Sequence, residues 1–590
     1  MTTGHQDTYF IDRHRALRVA LEQNRVILES GEEAVQLCYY DGEPLSHAPP
    51  NLVNVPLVHL LRFFDEHPLR LPGRFECGGL DLPPEVRAAL QQAFDEAVST
   101  LRAHREAVAA SGIRPFAEDT YYIDPVVAYQ CALLQQQVNL GHRSVFGRQL
   151  CYYDGEPLAD APDNLIPLPA RDFVPRLTVT RYRRPTRIAL PIATPEPRRR
   201  DIEQGFAALN AQVAANRQAL FEELTERCRT RAVDDFQGPL RVFLPASRVT
   251  EVMQYSSRGL ARAFEKLGHR PLLSIEHNDL EGLDRVNQLD AFLQLGPHLV
   301  VDINHQDNFF LHPSVFNAVW YQDPMPEIVH NRDLLPWRER DLVYSFSPRI
   351  DGYLRRTGAR DIRRQRFCID GEVFRERPEI PREEKIVFVG SAYASRLRDS
   401  AAERDLIDRL ETAFAQGQRF SITEIEALAE AHGVDGRRAL WDLFHYVVRD
   451  TTVRWMCETA PIPVEVYGRG WEIYPQVVPF FKGPLPHGEP VARVYNSARF
   501  ALVTHPFEVH SQRLAEAAGC GCIPVVYDAR HVTDAPYWED QCLFFHSRET
   551  LRAAFARRPR RPPREIARES TYEAFARSLV TEVRRRARGT

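Results

Sequence analysis

The stretch Phe500–Asp528, FALVTHPFEVHSQRLAEAAGCGCIPVVYD, reads as strand, loop, helix, tight turn and strand. Ala501 to Val503 is a short apolar run that suits a buried strand. His505-Pro506-Phe507 ends it, because the residue before proline is pushed out of helical geometry. From His510 to Ala518, Leu514, Ala515, Ala517 and Ala518 form one apolar stripe at helical spacing. Gly519 and Gly521 then supply the left-handed cap that closes a helix. Ile523 to Tyr527 is the next buried strand. A strand, a crossover helix and a second strand imply a parallel sheet with helices on its faces.

Two carboxylates sit in this unit, Glu508 on the loop before the helix and Glu516 near its end. A carboxylate can accept paired sugar hydroxyls, and the amides of a helix N-terminus suit a diphosphate. Spacing alone also fits two solvated glutamates. The Glu-x7-Glu spacing before a small-residue turn, with SQRLAEAAGCG over Ser511–Gly521, resembles the donor site of GT-B glycosyltransferases. The wording is most similar to the CgeB-like (spore-maturation-type) branch. The resemblance covers about residues 240–560 and extends to VFVGSAYASR, from Val387, and to the Tyr-Gly-x-Gly-Trp turn at Tyr467–Trp471.

The resemblance implies roles. Glu516 would hold the nucleotide ribose and Glu508 the donor sugar. Ser511, Arg513, Gly390 and Arg396 would meet the diphosphate; His505 and His510 would either touch the phosphates or only cap and pack, as histidines near a helix start often do. No metal is expected, because arginines and helix amides can carry the leaving-group charge.

Composition limits the alternatives. A chain of 590 residues exceeds one core and suggests three or four domains. Hydrophobic residues at 44% and charged residues at 26% are ordinary for a soluble globular protein. A net charge of −5 gives no nucleic-acid footprint. No apolar run is long enough for a membrane span, and the N-terminus lacks an apolar signal core. Ten scattered cysteines without paired CxxC knuckles argue against zinc fingers and for a reducing, cytoplasmic setting.

The first third carries an internal repeat. Residues 7–57 run from DTYFID to LCYYDGEPL and beyond; residues 119–170 run from DTYYID to a second LCYYDGEPL. Each copy reads as an extended start, a helix (Arg13–Glu29; Pro125–Asn139) and a strand with a hairpin-type Asp-Gly turn. The repeated Tyr39, Tyr40 and Asp41, with Tyr152, Tyr153 and Asp154, could stack on a sugar or peptide acceptor. The alternative is that a duplicated fold kept its buried aromatics.

From Pro239 strands and helices alternate, and a second such series opens at Lys385. The expected organisation is a duplicated α+β domain (1–170), a basic linker with a long helix (171–238), two Rossmann-like doubly wound lobes (239–380, acceptor side; 381–560, donor side) and a C-terminal helix (561–590). Residues 400–457 read as a helical insertion. His305 and Asp323 follow strands of the first lobe, where ligands bind in such sheets, and are the candidate catalytic bases. Asp302 reads as structural. The expected activity is metal-independent transfer from a nucleotide-sugar to a protein, glycan or small molecule. A nucleotide-sugar epimerase of the same architecture and a non-catalytic carbohydrate-binding scaffold are the other two readings.

Overall fold

The computed structural model describes residues 7–588 apart from 31–35, 43–44, 46–48, 50, 67–68, 79–81, 111–117, 130, 133–148, 159–160, 192–193, 249–250, 279, 283, 331–332, 398–399 and 533–537. The chain divides into two compact units. One comprises Met1–Thr225, Ser247–Val249 and Ile275–Asp290; the other comprises Glu226–Ala246, Thr250–Ser274 and Ala291–Thr590.

The first unit holds two small sheets built alike. Strands β1 (Thr8–Phe10), β2 (Cys38–Tyr40), β3 (Leu52–Asn54) and β4 (Arg74–Glu76) lie in the order β3-β2-β1-β4. Strands β5 (Thr120–Tyr122), β6 (Cys151–Tyr153), β7 (Leu165–Pro167) and β8 (Arg187–Ala189) lie in the order β7-β6-β5-β8. Every pairing is parallel, and the registers match: Thr8 faces Cys38, and Thr120 faces Cys151.

The hairpin expected at the Asp-Gly steps is therefore corrected, and each small sheet is α/β rather than α+β. Asp41 and Asp154 instead accept hydrogen bonds from Leu57 N (2.9 Å) and Ala170 N (3.0 Å), at the starts of the next short helices. A two-residue turn signal says where a strand ends but not where the next one pairs. Strand β8 also lies inside the segment expected to be linker; its pairing with β5 completes the second sheet. The helix expected over Pro125–Asn139 falls largely outside the described residues.

The second unit contains two larger parallel sheets. The first has β9 (Arg241–Pro245), β10 (Arg270–Ser274), β11 (Leu299–Ile303), β12 (Phe316–Tyr321), β13 (Asp341–Ser345) and β14 (Arg363–Arg364), in the order β10-β9-β11-β12-β13-β14. The second has β15 (Glu383–Val389), β16 (Val464–Tyr467), β17 (Ala498–Val503), β18 (Ile523–Tyr527) and β19 (Leu543–Phe545), in the order β16-β15-β17-β18-β19. Both are doubly wound with one reversal of strand order, and ligands bind beyond the carboxyl ends of strands beside such a reversal. The central strands β11, β12 and β13 are buried on both faces, as the runs LVVDI and FNAVWY require.

The chain end is two helices, Arg564–Arg568 and Tyr572–Arg588, where one had been expected over Ile566–Arg586. The break lets Thr571 bridge to Ile369. The last helix then returns to the first sheet, burying Tyr572, Phe575, Leu579 and Val583 in the same core as Leu299, Val301 and Trp320. Gly259 makes room for it, since a Cβ there would overlap the Tyr572 ring. Glu582 accepts hydrogen bonds from Arg363, Arg585 and Arg586 at 2.6–2.8 Å.

Candidate active site

A cavity of about 860 Å³ opens beyond the carboxyl ends of the two large sheets. Asp323, Pro324 and Met325, which follow β12, form one wall. Tyr393, Arg396 and His505 come from the loops after β15 and β17, on either side of the strand-order reversal in the second sheet. Most of the rest comes from residues 400–445, among them Glu403, Arg438, Trp441, Asp442 and His445. A smaller cavity of about 110 Å³ shares Asp323, Pro324, Trp441 and His505 and adds Glu508 and Arg349.

The segment read as an insertion is thus the principal wall. Its helices are Ala401–Ala415, Ile422–Ala431, Gly436–Arg438 and Phe444–Thr459, the last two joined by a π-helical turn at Ala439–Leu443. Single π turns inside α-helices concentrate at functional sites. Trp441, His445 and Arg449 recur every four residues, which places them on one helix face. That spacing is a signal the sequence carried, inside a segment read only as a helical insertion.

Buried ion pairs hold this wall. Arg438 bonds Glu403 through Nε and Nη2 at 3.0 Å each, Asp442 at 2.8 Å and the Arg396 carbonyl at 2.6 Å. Asp450, fully buried, accepts hydrogen bonds from Tyr393 N (3.0 Å), Ala394 N (3.2 Å) and Tyr474 Oη (2.7 Å). It therefore fixes the loop after β15. The Tyr393 ring carries two guanidinium groups, Arg449 at 3.9 Å and Arg396 at 4.0 Å from its centroid. Two cations that close need the two faces of one ring.

Three arginines, 396, 449 and 513, crowd together here. Burial, then the charge of neighbouring Arg513, pushes Arg449 down to about 10. Its Nε has no hydrogen-bond acceptor. Burial, then the arginines 449 and 513, pushes the His505 imidazole down to about 3, so it is neutral at physiological pH. Its Nδ1 accepts from Glu508 N (3.0 Å) and Phe507 N (3.3 Å), which leaves the ring proton on Nε2. His445, packed edge-on to His505 at 4.8 Å between ring centroids, is held far below its ordinary value by burial, His505 and Arg449.

Asp323, exposed, lines both cavities. The protein around it raises its carboxyl above the ordinary range. Asn304, with a left-handed backbone (φ 63°), positions it: Nδ2 donates to Asp323 Oδ2 (2.8 Å), while Oδ1 accepts from Gln322 N (2.7 Å) and Asp323 N (3.0 Å).

Of the other expected donor residues, Ser511 caps the helix Gln512–Gly519 by accepting from Leu514 N (3.2 Å). Arg513 donates to Val389 O (2.5 Å), and its guanidinium occupies the space a Cβ on Gly390 would need. Gly390 and Gly468 also touch backbone to backbone, with Trp471 Nε1 donating to Gly390 O (2.7 Å). The room at Gly390 is thus used by protein rather than left open for a diphosphate. Glu516 is buried, its Oε1 accepting from His487 (2.7 Å) and Gln512 (2.9 Å); it lines neither cavity.

Several expectations are corrected. His510 is buried against Phe346 and Trp538, with Nε2 3.4 Å from Ser570 Oγ, and is no phosphate contact. His305 lines neither cavity. Tyr39, Tyr40, Tyr152 and Tyr153 are at most 1% exposed. The hydroxyls of Tyr39 and Tyr152 donate to the carbonyls of Arg70 and Arg183, and Tyr153 to that of Glu156; Tyr40 accepts from Leu45 N. With Asp41 and Asp154 bonded to backbone amides, all six are core and turn-closing groups, not an acceptor surface.

Residues 449–586 match a family model described as glycosyl transferase-like. The second lobe is glycosyl transferase-like in sequence. The match begins at Arg449 and includes His505, Glu508, Arg513 and Glu516. No curated protein matches the chain. Similar solved structures include AviGT4, a glycosyltransferase involved in avilamycin A biosynthesis (12% identity, TM-score 0.37, 60% of this chain and 99% of that one). Another is sucrose-phosphate synthase from Thermosynechococcus elongatus (14%, 0.36, 60% and 100%). A third is an α-glucosyltransferase in complex with UDP (11%, 0.33, 58% and 100%). Likeness at this level leaves the activity to be argued from the site. Among the described residues, no helix is long and apolar enough to cross a membrane.

Proposed function

We propose that the protein is a glycosyltransferase of the CgeB-like branch that moves a hexosyl group from a nucleotide-sugar to an acceptor hydroxyl. The supporting observation is Arg449, whose buried Nε has no acceptor and which is crowded by Arg513 and shares the Tyr393 ring with Arg396; Tyr393, Arg396 and Asp323 line the larger cavity. A diphosphate is an anion that clustered guanidinium groups suit, and bidentate phosphate binding is what they do best. Neutral His505 offers an Nε2–H to the same group. Glu516, fixed by His487 and Gln512, accepts the ribose hydroxyls, and Glu508 those of the donor sugar.

Asp323 is the base. Its raised carboxyl keeps it basic enough to take a proton from the acceptor hydroxyl as the C1–O bond forms and the nucleoside diphosphate leaves. The arginines stabilise the departing charge without a metal ion. Ten unpaired cysteines suit a cytoplasmic setting. A mass-spectrometric screen of nucleotide-sugars against cell extract tests the reading. A product heavier than an acceptor by one sugar residue supports it. Release of free sugar alone, or interconversion of the donor, would replace transfer by hydrolysis or epimerisation.

A further inference from the structure

Asp302, His305 and Asp307 converge just beyond the carboxyl end of β11, and neither cavity uses them. His305 Nδ1 lies 2.8 Å from the carbonyl of Ile303. A carbonyl only accepts, so Nδ1 carries the proton, and a neutral ring then presents Nε2 as a lone pair. That lone pair faces Asp302 Oδ1 and Asp307 Oδ2, each at 3.5 Å. One ligand atom from each of the three residues thus lies within 4.8 Å of the other two.

Asp302 sharpens the point. It is completely buried, and its Oδ2 accepts from Asp307 N (3.0 Å) and Asn317 Nδ2 (2.9 Å). Its Oδ1 accepts no hydrogen bond at all. A buried carboxylate oxygen without a donor is costly unless a cation meets it. The separations fit one. Two ligands each about 2.0–2.2 Å from a tetrahedral ion stand about 3.3–3.6 Å apart, whereas a hydrogen bond would be about 2.7–3.2 Å. The backbone bond at Nδ1 and the two donors to Oδ2 are the outer contacts that orient a histidine and a carboxylate as ligands.

We propose that Asp302, His305 and Asp307 bind a divalent transition-metal ion, with Zn²⁺ the first choice. One imidazole nitrogen with two carboxylate oxygens favours such an ion over Mg²⁺ or Ca²⁺, which take oxygen ligands. Asn304 lies inside the ligand segment and holds Asp323, so the ion would fix the loop that aims the proposed base.

The test uses full-length protein stripped with chelator and titrated with Zn²⁺ and, separately, Co²⁺. The expected result is one ion per chain and a higher melting temperature. The cobalt spectrum should show d–d bands without thiolate charge transfer, which separates this site from the ten cysteines. His305→Ala should weaken binding tenfold or more. His305 is partly exposed, so this variant should fold where Asp302→Asn, which also loosens Asp307 and Asn317, would not report cleanly. Equal binding by wild type and His305→Ala, no binding by either, or a thiolate band would overturn the site; with no binding, a protonated imidazole bridges the two carboxylates instead.

Discussion

Two segments of this chain look opposite in sequence and in structure. The repeated LCYYDGEPL units carry paired tyrosines and acids in near-identical copies, as a recognition surface might. Residues 400–457 look like a helical insertion. In the folded protein the repeated tyrosines are sealed in two small cores, and the insertion walls the cavity. The physical difference is satisfaction. Each repeated polar group has a backbone partner of its own, and so is finished. Arg449 is half-buried and crowded by Arg513, and its enclosed Nε lacks an acceptor. Repetition here records packing; incompleteness marks the site.

The sharpest way to break the contrast is Asp323→Asn. It should lower transfer roughly a hundred- to ten-thousand-fold while the protein stays folded, measured as product formation beside a melting curve. A loss of less than tenfold would remove Asp323 from the chemistry. Tyr39→Ala or Tyr152→Ala should do the reverse. Each empties a buried site and should cost about 3–5 kcal/mol of stability, read by denaturant unfolding, with transfer by the folded fraction unchanged. Lost transfer at full stability would restore the acceptor surface.

The two large sheets were legible because their strands are continuous apolar runs, punctuated by turns. Val464–Tyr467, Glu489–Ser497 and Ile523–Tyr527 fall where periodicity places them. Asp323 was legible as a residue beyond a strand end. His510 was not, because a histidine near a helix start reads the same whether it faces a ligand or Trp538. The parallel pairing of the small sheets was hidden because three-residue strands carry almost no directional pattern. Trp441 and His445, which line the larger cavity, and Arg449 beside them were missed although they share a helix face, since spacing does not say which face meets a cavity.

Two smaller effects sharpen the comparison through charge. Hydrogen bonds from Arg585 above all, with those from Arg363 and Arg586, hold the Glu582 carboxyl well below the usual range. A depressed carboxyl stabilises the fold above its unfolded value of about 4.3 and loses that contribution as pH falls through the folded one. Glu582→Gln should therefore cost about 1.5–3 kcal/mol at pH 7 and progressively less below pH 4, followed by unfolding at each pH. In the pH profile of transfer, the acidic limb should lie above the ordinary aspartate value, because activity needs Asp323 ionised and its carboxyl is raised. His505, pushed to about 3, should add no inflection between pH 5 and 8.

The account rests on the second lobe gripping a diphosphate through Arg449. Calorimetric titration of the full-length protein with UDP, GDP, ADP, CDP and dTDP tests this most directly. One of them should bind wild type and Tyr39→Phe alike, and bind Arg449→Ala about 10- to 150-fold more weakly, the worth of one hydrogen-bonded charge. Binding by none of the five, or equal binding by Arg449→Ala, would contradict it.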